Sequence, residues 1–314
     1  MNASRPGRLT FRLAQSGDFD AVVKLSEGIY DGHDYLPFKF QKWLQRDNLA
    51  VLLAYSGDKL VGLQACFVVD EGRTFIRRAE RILAGLRGQG LVRQLREFAR
   101  KYVREHYPNV QRERFTTPAD LASSADQREL LKFEMLSYQV ERKLPCEVAI
   151  SARNAVEIEV CSKEYFSSII FSSPVGGELF PANVIVVSWC PLEPLRSNID
   201  HILQESDEIF VEKCAGDASP RSLSFGAFSP REKFQIWLAT FYTKDSVLFE
   251  AHLLHQLKRA CEVINGDFIF VVSFQDKSLT PSARKMMEEH LQLKEHDWFM
   301  RNKTMKVFDR DITS

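Results

Sequence analysis

A short glycine-rich segment, Arg87-Gly88-Gln89-Gly90, stands between a predicted strand and a long amphipathic helix that starts near Leu91. Glycine at such a turn lets the backbone adopt a positive φ and approach a ligand closely. The first turn of a helix presents backbone N–H groups without intrahelical partners and the positive end of the helix dipole. This combination is typical of a phosphate or pyrophosphate site, where Arg87 would add charge pairing.

Other interpretations of this segment compete with phosphate binding. Taken alone, it fits a helix start without a ligand almost equally well. A Walker A loop requires Lys followed by Ser or Thr, whereas Leu91 and Val92 follow Gly90 here. A dinucleotide-binding fold places its glycine loop after the first strand of a βαβ unit. Because this segment follows several predicted strands, two of them in a hairpin, phosphate binding in another α/β fold is favoured.

The hydrophobic pattern predicts the elements that position the loop. Strands are expected at 9–13, 50–55, 60–69, 74–83, 110–115 and 138–144, and helices at 19–29, 38–44, 91–106 and 126–133. Strands that alternate with helices after an antiparallel start indicate a mixed α/β sheet.

The second half of the chain repeats this order. Strands are predicted at 208–212, 223–228, 235–242, 268–274 and 299–308, and helices at 195–204, 247–264 and 281–291. We therefore predict two domains, residues 1–150 and 151–314, of which the second is a degenerate copy of the first. Its corresponding strand-to-helix turn, Thr243-Lys244-Asp245-Ser246, has no glycine, which argues against a second phosphate loop.

The Arg87–Gly90 segment resembles the acetyl-CoA pyrophosphate loop of the GNAT acetyltransferases, which follows the pattern Arg/Gln-x-x-Gly-x-Gly/Ala. Arg87 and Gly90 match this pattern, and Val92 departs from it at the last position. The resemblance implies an α/β GNAT fold, a mixed and largely antiparallel sheet flanked by helices, with a second, degenerate GNAT-like domain that lacks a CoA loop. It also implies acetyl-CoA as co-substrate, no metal, and cofactor binding by Leu83, Arg87, Gly88, Gln89, Gly90, Leu91 and Val92.

Longer stretches are similar to the vertebrate histidine N-acetyltransferase and probable N-acetyltransferase family. They comprise residues 30–37, Trp43-Leu44-Gln45, residues 68–72, Trp189-Cys190-Pro191 and Ser197-Asn198. The resemblance spans nearly the whole chain and is strongest over residues 27–110. It implies acetyl transfer to the α-amino group of a free amino acid, which is histidine in the characterised members.

The chain departs from this family close to the chemistry. The strand before the loop reads Arg78-Ala79-Glu80-Arg81 where the family has Glu-Gly-Leu-Arg, so Arg81 is kept and the acid stands two residues later. Because residues two apart on a strand share a face, Glu80 is a candidate general base, or else the ion-pair partner of a neighbouring arginine. The family's Lys-Tyr on the helix after the fifth strand reads Lys132-Phe133, which leaves nearby Tyr138 as the candidate acid for the departing thiolate.

The turn before the second helix and the strand before the loop supply the candidate substrate contacts. We assign substrate binding to Tyr30, Asp34, Tyr35, Arg78 and Arg81. Arginines can hold a substrate carboxylate in bidentate fashion, and Asp34 or His33 is a second candidate base. Tyr30 and Tyr35 fit core packing around the turn as well as they fit a pocket.

The composition of the chain limits the classes of partner that it is expected to bind. The 314 residues contain 42 Lys+Arg and 42 Asp+Glu, so no net charge attracts nucleic acid or an acidic membrane. Six scattered cysteines without C-x-x-C spacing, and a polar, basic start without a signal peptide, predict a cytoplasmic protein. His252 and His255 lack nearby acidic or cysteine partners, which favours a structural role over a metal pair. The partner expected is a small amine or amino acid, and the oligomeric state is left open.

Three function classes fit these residues. An N-acetyltransferase acting on a free amino acid, histidine or a similar small amine, is favoured. The departures at Arg78, Phe133 and Val92 suggest, as an alternative, a family member that binds acyl-CoA with weakened catalysis. The third class acetylates protein amines and uses the second domain as a recognition surface.

Overall fold

A computed structural model describes residues 9–118, 124–141, 156–171, 175–214, 219–297 and 303–312. The chain divides into two compact units. The first comprises Met1–Phe115, Arg231–Lys233 and Asp309–Ser314, and the second comprises Thr116–Pro230 and Phe234–Phe308. The domain boundary near residue 150 falls outside the described residues and stays a prediction.

The first unit builds four successive antiparallel strands and one parallel strand. Its elements are β1 (Leu9–Leu13), α1 (Phe19–Ser26), α2 (Leu36–Trp43), β2 (Leu49–Ser56), β3 (Lys59–Val69), β4 (Thr74–Ile82), α3 (Leu91–His106) and the first residues of β5 (Arg112–Pro118). Strands β1 to β4 pair antiparallel in chain order, and β5 pairs parallel with β4 over Thr74–Ile76 and Arg112–Arg114. A parallel neighbour requires a crossover, which α3 provides.

One face of α3 anchors it to this sheet. Leu91, Leu95, Ala99 and Val103 recur at every fourth position and are all buried. They pack with residues of β2, β3 and β4, among them Leu52, Cys66, Val61 and Ile82. This packing holds the N-terminus of α3 close to the end of β4, where the glycine segment joins the two elements.

The second unit contains the remaining elements. They are β6 (Arg128–Val140), β7 (Ile158–Val160), α4 (Lys163–Phe171), α5 (Val175–Leu179), β8 (Ile185–Val187), β9 (Cys190–Leu192), α6 (Ile199–Glu205), β10 (Glu208–Glu212), β11 (Leu223–Ser229), β12 (Gln235–Tyr242), α7 (Ser246–Val263), β13 (Phe268–Phe274), α8 (Thr280–Arg284), β14 (Lys294–Glu295) and most of β15 (Thr304–Asp311). A π-helical stretch, Lys285–His290, continues α8.

The strand order of the second unit repeats that of the first. Strands β7, β10, β11 and β12 pair antiparallel in that order, and β13 then pairs parallel with β12 after the crossover helix α7. This confirms the predicted degenerate second copy. Asp245 caps the N-terminus of α7, because its carboxylate accepts hydrogen bonds from the backbone N–H groups of Val247 and Leu248 at 2.8 and 3.2 Å.

The helix predicted at 126–133 is wrong, because residues 128–133 lie in strand β6. Leu131, Phe133 and Met135 alternate with more exposed residues, and β6 pairs antiparallel with β13. Sheet pairing overrides the local helical preference here. Lys132-Phe133 therefore lies on a strand and not on a helix, and the buried Phe133 ring meets Tyr242 edge-on at 6.2 Å. Residues 142–144 and 299–302 of two predicted strands lie outside the described residues.

Candidate functional site

The turn between β4 and α3 has the geometry that the glycines predict. Gly88 and Gly90 have φ values of +78° and +80°, and Gly90 is the N-cap residue of α3. No side chain of the described residues caps this helix. A Cβ atom added at either glycine would meet no atom within 4 Å. The turn thus presents uncapped N–H groups on an open surface, which suits an anion.

A cavity of about 290 Å³ lies beside this turn in the first unit. It brings together residues from three parts of the sequence: the turn after α1, the end of β4 and the start of α3. The lining residues are Gly28, Ile29, Tyr30, Glu80, Arg81, Ile82, Arg87 and Val92. Five predicted site residues are among them, namely Tyr30, Glu80, Arg81, Arg87 and Val92. The Nε of Arg87 donates to the carbonyl of Ile82 at 3.2 Å, which anchors that side chain beside the cavity.

The other predicted loop residues contribute in different ways. The backbone N–H of Leu83 donates to Val61 at 2.9 Å and continues the strand ladder. Gln89 turns its amide back to the carbonyl of Gly85 at 3.4 Å. The Leu91 side chain packs in the core, so its contribution to a ligand would come from its backbone N–H group.

A β-bulge interrupts β4 just before its end. Leu63 of β3 pairs with Arg81, whereas Ala65 pairs with Arg78, so β4 contains one residue more than its partner. Ala79 has a φ of +50°, an unusual value for alanine. Bulges re-aim side chains, and they are frequent next to active sites.

Because of the bulge, Arg81 and not Glu80 shares the face of Arg78, so the shared face expected for residues 78 and 80 is wrong, whereas the role of Glu80 as a base stays a prediction. Glu80 accepts a hydrogen bond from Arg77 at 3.2 Å and two from Arg96 of α3 at 2.6 and 2.7 Å. Arg78 instead places its guanidinium carbon 5.3 Å from the centre of the Trp43 ring. Glu80 is therefore the ion-pair partner of two arginines, and it still lines the cavity.

Arg81 is held by Asp34. Its Nε and Nη2 donate to the two Asp34 oxygens at 2.9 and 2.8 Å, and its Nη1 donates to the Glu80 carbonyl at 3.0 Å. Both side chains of the pair are almost fully buried. Burial alone would raise the pKa of Asp34, but the hydrogen bonds and charge of Arg81 outweigh it and lower that pKa. Arg81 thus fixes the turn after α1 to β4, with its donors already engaged.

The turn that carries the tyrosines is conformationally unusual. Gly28, Tyr30 and Asp31 all have positive φ values, of 69°, 50° and 57°. Such angles in residues other than glycine cost energy and concentrate at functional sites. Tyr30 remains 37% exposed, and its ring lies 4.9 Å from the guanidinium carbon of Arg81. Tyr35 packs edge-on against Trp43 at 6.0 Å.

Tyr138 is not among the residues that line this cavity. It lies on β6 in the second unit, its side chain is buried, and its hydroxyl donates to Glu288 at 3.0 Å. Burial and this carboxylate raise the pKa of Tyr138. Its role as the acid for the departing thiolate stays a prediction.

Sequence reasoning missed Arg231. Residues Arg231–Lys233 belong to the first unit although they lie between β11 and β12 in sequence. The Arg231 guanidinium carbon lies 5.0 Å from the centre of the Tyr35 ring. Its Nε and Nη1 are buried, and they have no hydrogen-bond partner among the described residues. No sequence motif around Arg231 predicts that it lies beside Tyr35.

Within the described ranges, no helix is both long enough and apolar enough to cross a membrane. The same residues contain no group of three or more side chains suited to hold a metal ion.

Comparisons with known proteins agree with this architecture. The family "Histidine N-acetyltransferase, C-terminal" matches residues 154–275. A histidine N-acetyltransferase of Scomber australasicus is 25% identical over 82% of this chain and 81% of its own length. One of Xenopus tropicalis is 28% identical over 63% of this chain and 64% of its own.

A solved tandem GNAT protein from the clavulanic acid biosynthesis pathway shares the fold with a TM-score of 0.58. It is 11% identical and covers 97% of this chain and 98% of its own. The chain thus has the fold of a tandem GNAT protein, and these relatives support an acetyltransferase enzyme. Within that class, the chain resembles the histidine N-acetyltransferases over most of its length.

Proposed function

We propose that this enzyme transfers the acetyl group of acetyl-CoA to the α-amino group of a free amino acid, histidine or a similar small amine. The observation that carries the proposal is the open, uncapped start of α3 at Gly88 and Gly90, directly beside a cavity lined by Glu80 and Arg81. The relatives named histidine N-acetyltransferase support the choice of acceptor.

The turn fits the pyrophosphate of CoA. Two glycines at positive φ would keep side chains away from the ligand, and the first N–H groups of α3, which no side chain of the described residues caps, would be its hydrogen-bond donors. Arg87, exposed and anchored at Ile82, adds a positive charge at the same place. Bound acetyl-CoA supplies a thioester as the acyl donor.

The residues of the cavity then serve the amine. An ammonium group must lose a proton before it attacks, and Glu80 is the one carboxylate among the described lining residues. Glu80 receives this proton directly or through water, and Arg96 and Arg77 keep its carboxylate in place. The Ala79 bulge interrupts the pairing of β4 with β3, and a backbone N–H group of β4 at this point would polarise the thioester carbonyl.

The test is release of CoA from acetyl-CoA by the purified enzyme, with each common amino acid offered in turn and the product identified by mass spectrometry. Release with histidine or a close analogue, yielding the Nα-acetyl product, supports the proposal. Binding of acetyl-CoA without release for any amine would indicate the catalytically weakened alternative. Acetylation of peptide amines in preference to free amino acids would instead support a protein substrate.

A further inference from the structure

Two guanidinium groups flank the Tyr35 ring in the first unit, and the structure provides a carboxylate partner for one of them. The guanidinium carbons of Arg81 and Arg231 lie 5.3 and 5.0 Å from the ring centre. Asp34 binds Arg81 through both of its oxygens. Arg231 has no ion pair among the described residues, and its Nε and Nη1 are buried without hydrogen-bond partners.

Such an arrangement is unfavourable as it stands. A buried charged donor without an acceptor loses its hydration and gains nothing in exchange. Burial, which is the largest influence, and the neighbouring Arg81 lower the pKa of Arg231 to about 10, so the group remains cationic at neutral pH. The protein therefore keeps a positive charge beside Tyr35 with two donors that are unpaired among the described residues, whereas Arg81, on the same ring, is neutralised by Asp34.

The chemistry of the free donors defines the ligand. Nε and one Nη of an arginine form a planar fork that matches the two oxygens of a carboxylate. The Tyr35 ring packs against this guanidinium, with its centre 5.0 Å from the guanidinium carbon. Because these two donors are buried away from water, they favour a small anion that can accept both hydrogen bonds.

We propose that Arg231 binds the α-carboxylate of the acceptor amino acid, and that it does so in place of Arg81, whose donors Asp34 and the Glu80 carbonyl occupy. This inference rests on the proposed function and names the residue that makes the acceptor an amino acid and not a simple amine. The shared Tyr35 and Arg81 connect Arg231 to the cavity residues Tyr30 and Glu80.

The experiment compares the full-length wild-type enzyme with Arg231→Gln and Arg231→Lys. Calorimetry measures binding of histidine, of histidine amide, which has no carboxylate, and of acetyl-CoA, and steady-state assays measure KM for the two acceptors. Arg46→Gln is the matched control, because Arg46 lies 4.6 Å over the Phe67 ring in the same unit and outside the site. Circular dichroism verifies that each variant is folded.

We expect Arg231→Gln to weaken histidine binding and raise its KM by about 10- to 100-fold, as the loss of a charged hydrogen-bonded pair does. Arg231→Lys should retain part of the affinity, and binding of histidine amide and acetyl-CoA should stay unchanged. A variant that binds histidine as tightly as wild type would overturn the inference while leaving the proposed acetyl transfer intact. Weakened acetyl-CoA binding in Arg231→Gln would assign Arg231 to the CoA phosphates and would also overturn the inference. A wild-type enzyme that binds no amino acid would overturn the inference as well. Histidine binding that depends on Arg231 without any turnover would support it even if the proposed function fails.

Discussion

Arg81 of β4 and Asp34 of the turn before α2 form a bidentate ion pair, with distances of 2.9 and 2.8 Å, and both side chains are almost completely removed from solvent. The pair joins two segments that are far apart in sequence, and Tyr30 and Tyr35 pack on the same guanidinium. The contact therefore holds Arg81, a lining residue of the cavity, in place.

Asp34→Asn should destabilise the enzyme by about 3–5 kcal/mol, because it leaves the Arg81 charge buried without its anion. Urea unfolding measures the loss. Glu97→Gln is the control, since Glu97 pairs with Arg93 at 3.2 Å on the exposed face of α3, where such a pair contributes about 1 kcal/mol or less. Equal losses for the two variants would show that the Arg81–Asp34 pair does not stabilise the site.

Gly90→Val should abolish binding of acetyl-CoA. Gly90 has a φ of +80°, and its missing side chain leaves the start of α3 open. Gly72→Val provides the control, because Gly72 has nearly the same φ of +79° in the turn between β3 and β4. Both variants should lose about 1–2 kcal/mol of stability from the strained backbone, whereas calorimetry should show lost acetyl-CoA binding for Gly90→Val alone. Retained binding in that variant would refute the loop assignment.

The local features of this site could be predicted from the sequence, and the long-range ones could not. Three features are each predicted by a pattern of a few neighbouring residues: the glycine turn, the amphipathic helix after Leu91 and the hairpin at Gly57. The structure contains all three. The bulge at Ala79 has no such signature, because an alanine at positive φ is set by the pairing of β3 with β4.

Arg231 illustrates the same limit over a longer distance. Its neighbour in space, Tyr35, lies in the other half of the chain, and no spacing rule relates them. The helix wrongly predicted at 126–133 failed because the pairing of β6 with β13 decides its conformation. The alternation of Leu131, Phe133 and Met135 was the available signal for a strand.

Glu80→Gln should lower kcat by about 100-fold or more if Glu80 is the proton acceptor, with little change in acetyl-CoA binding. Glu113→Gln is the matched control. Glu113 accepts from Arg77 and Arg100 at 2.6 and 2.8 Å, so it resembles Glu80 in its ion pairs but does not line the cavity. Single-turnover measurements on folded protein separate the chemical step from stability. If both variants retain kcat, Glu80 serves only to hold α3 against β4.

Tyr138→Phe should leave turnover close to wild type. The hydroxyl of Tyr138 is engaged by Glu288 inside the second unit, and the side chain is buried. Loss of this hydrogen bond should cost about 1 kcal/mol of stability. The assay is kcat with histidine as acceptor, alongside urea unfolding. A large fall in kcat with unchanged stability would contradict this expectation and support Tyr138 as the acid for the thiolate.

His252 should make the stability of the enzyme depend on pH. It is buried between Ser224 and Ser222, each 2.9 Å from one ring nitrogen, and burial, together with nearby His255, lowers its pKa to about 3. The unfolded chain protonates this imidazole near its ordinary pKa of about 6.5. The unfolded state thus binds the extra proton between these two pKa values, and the free energy of unfolding should fall by about 1.4 kcal/mol per pH unit as the pH decreases below about 6.5.

Urea unfolding from about pH 7 to about pH 5 should show a smaller dependence of the free energy of unfolding on pH for His252→Gln than for wild type. His106→Gln, at the exposed end of α3, should keep the wild-type slope. Equal slopes in all three proteins would mean that His252 becomes protonated without unfolding the chain.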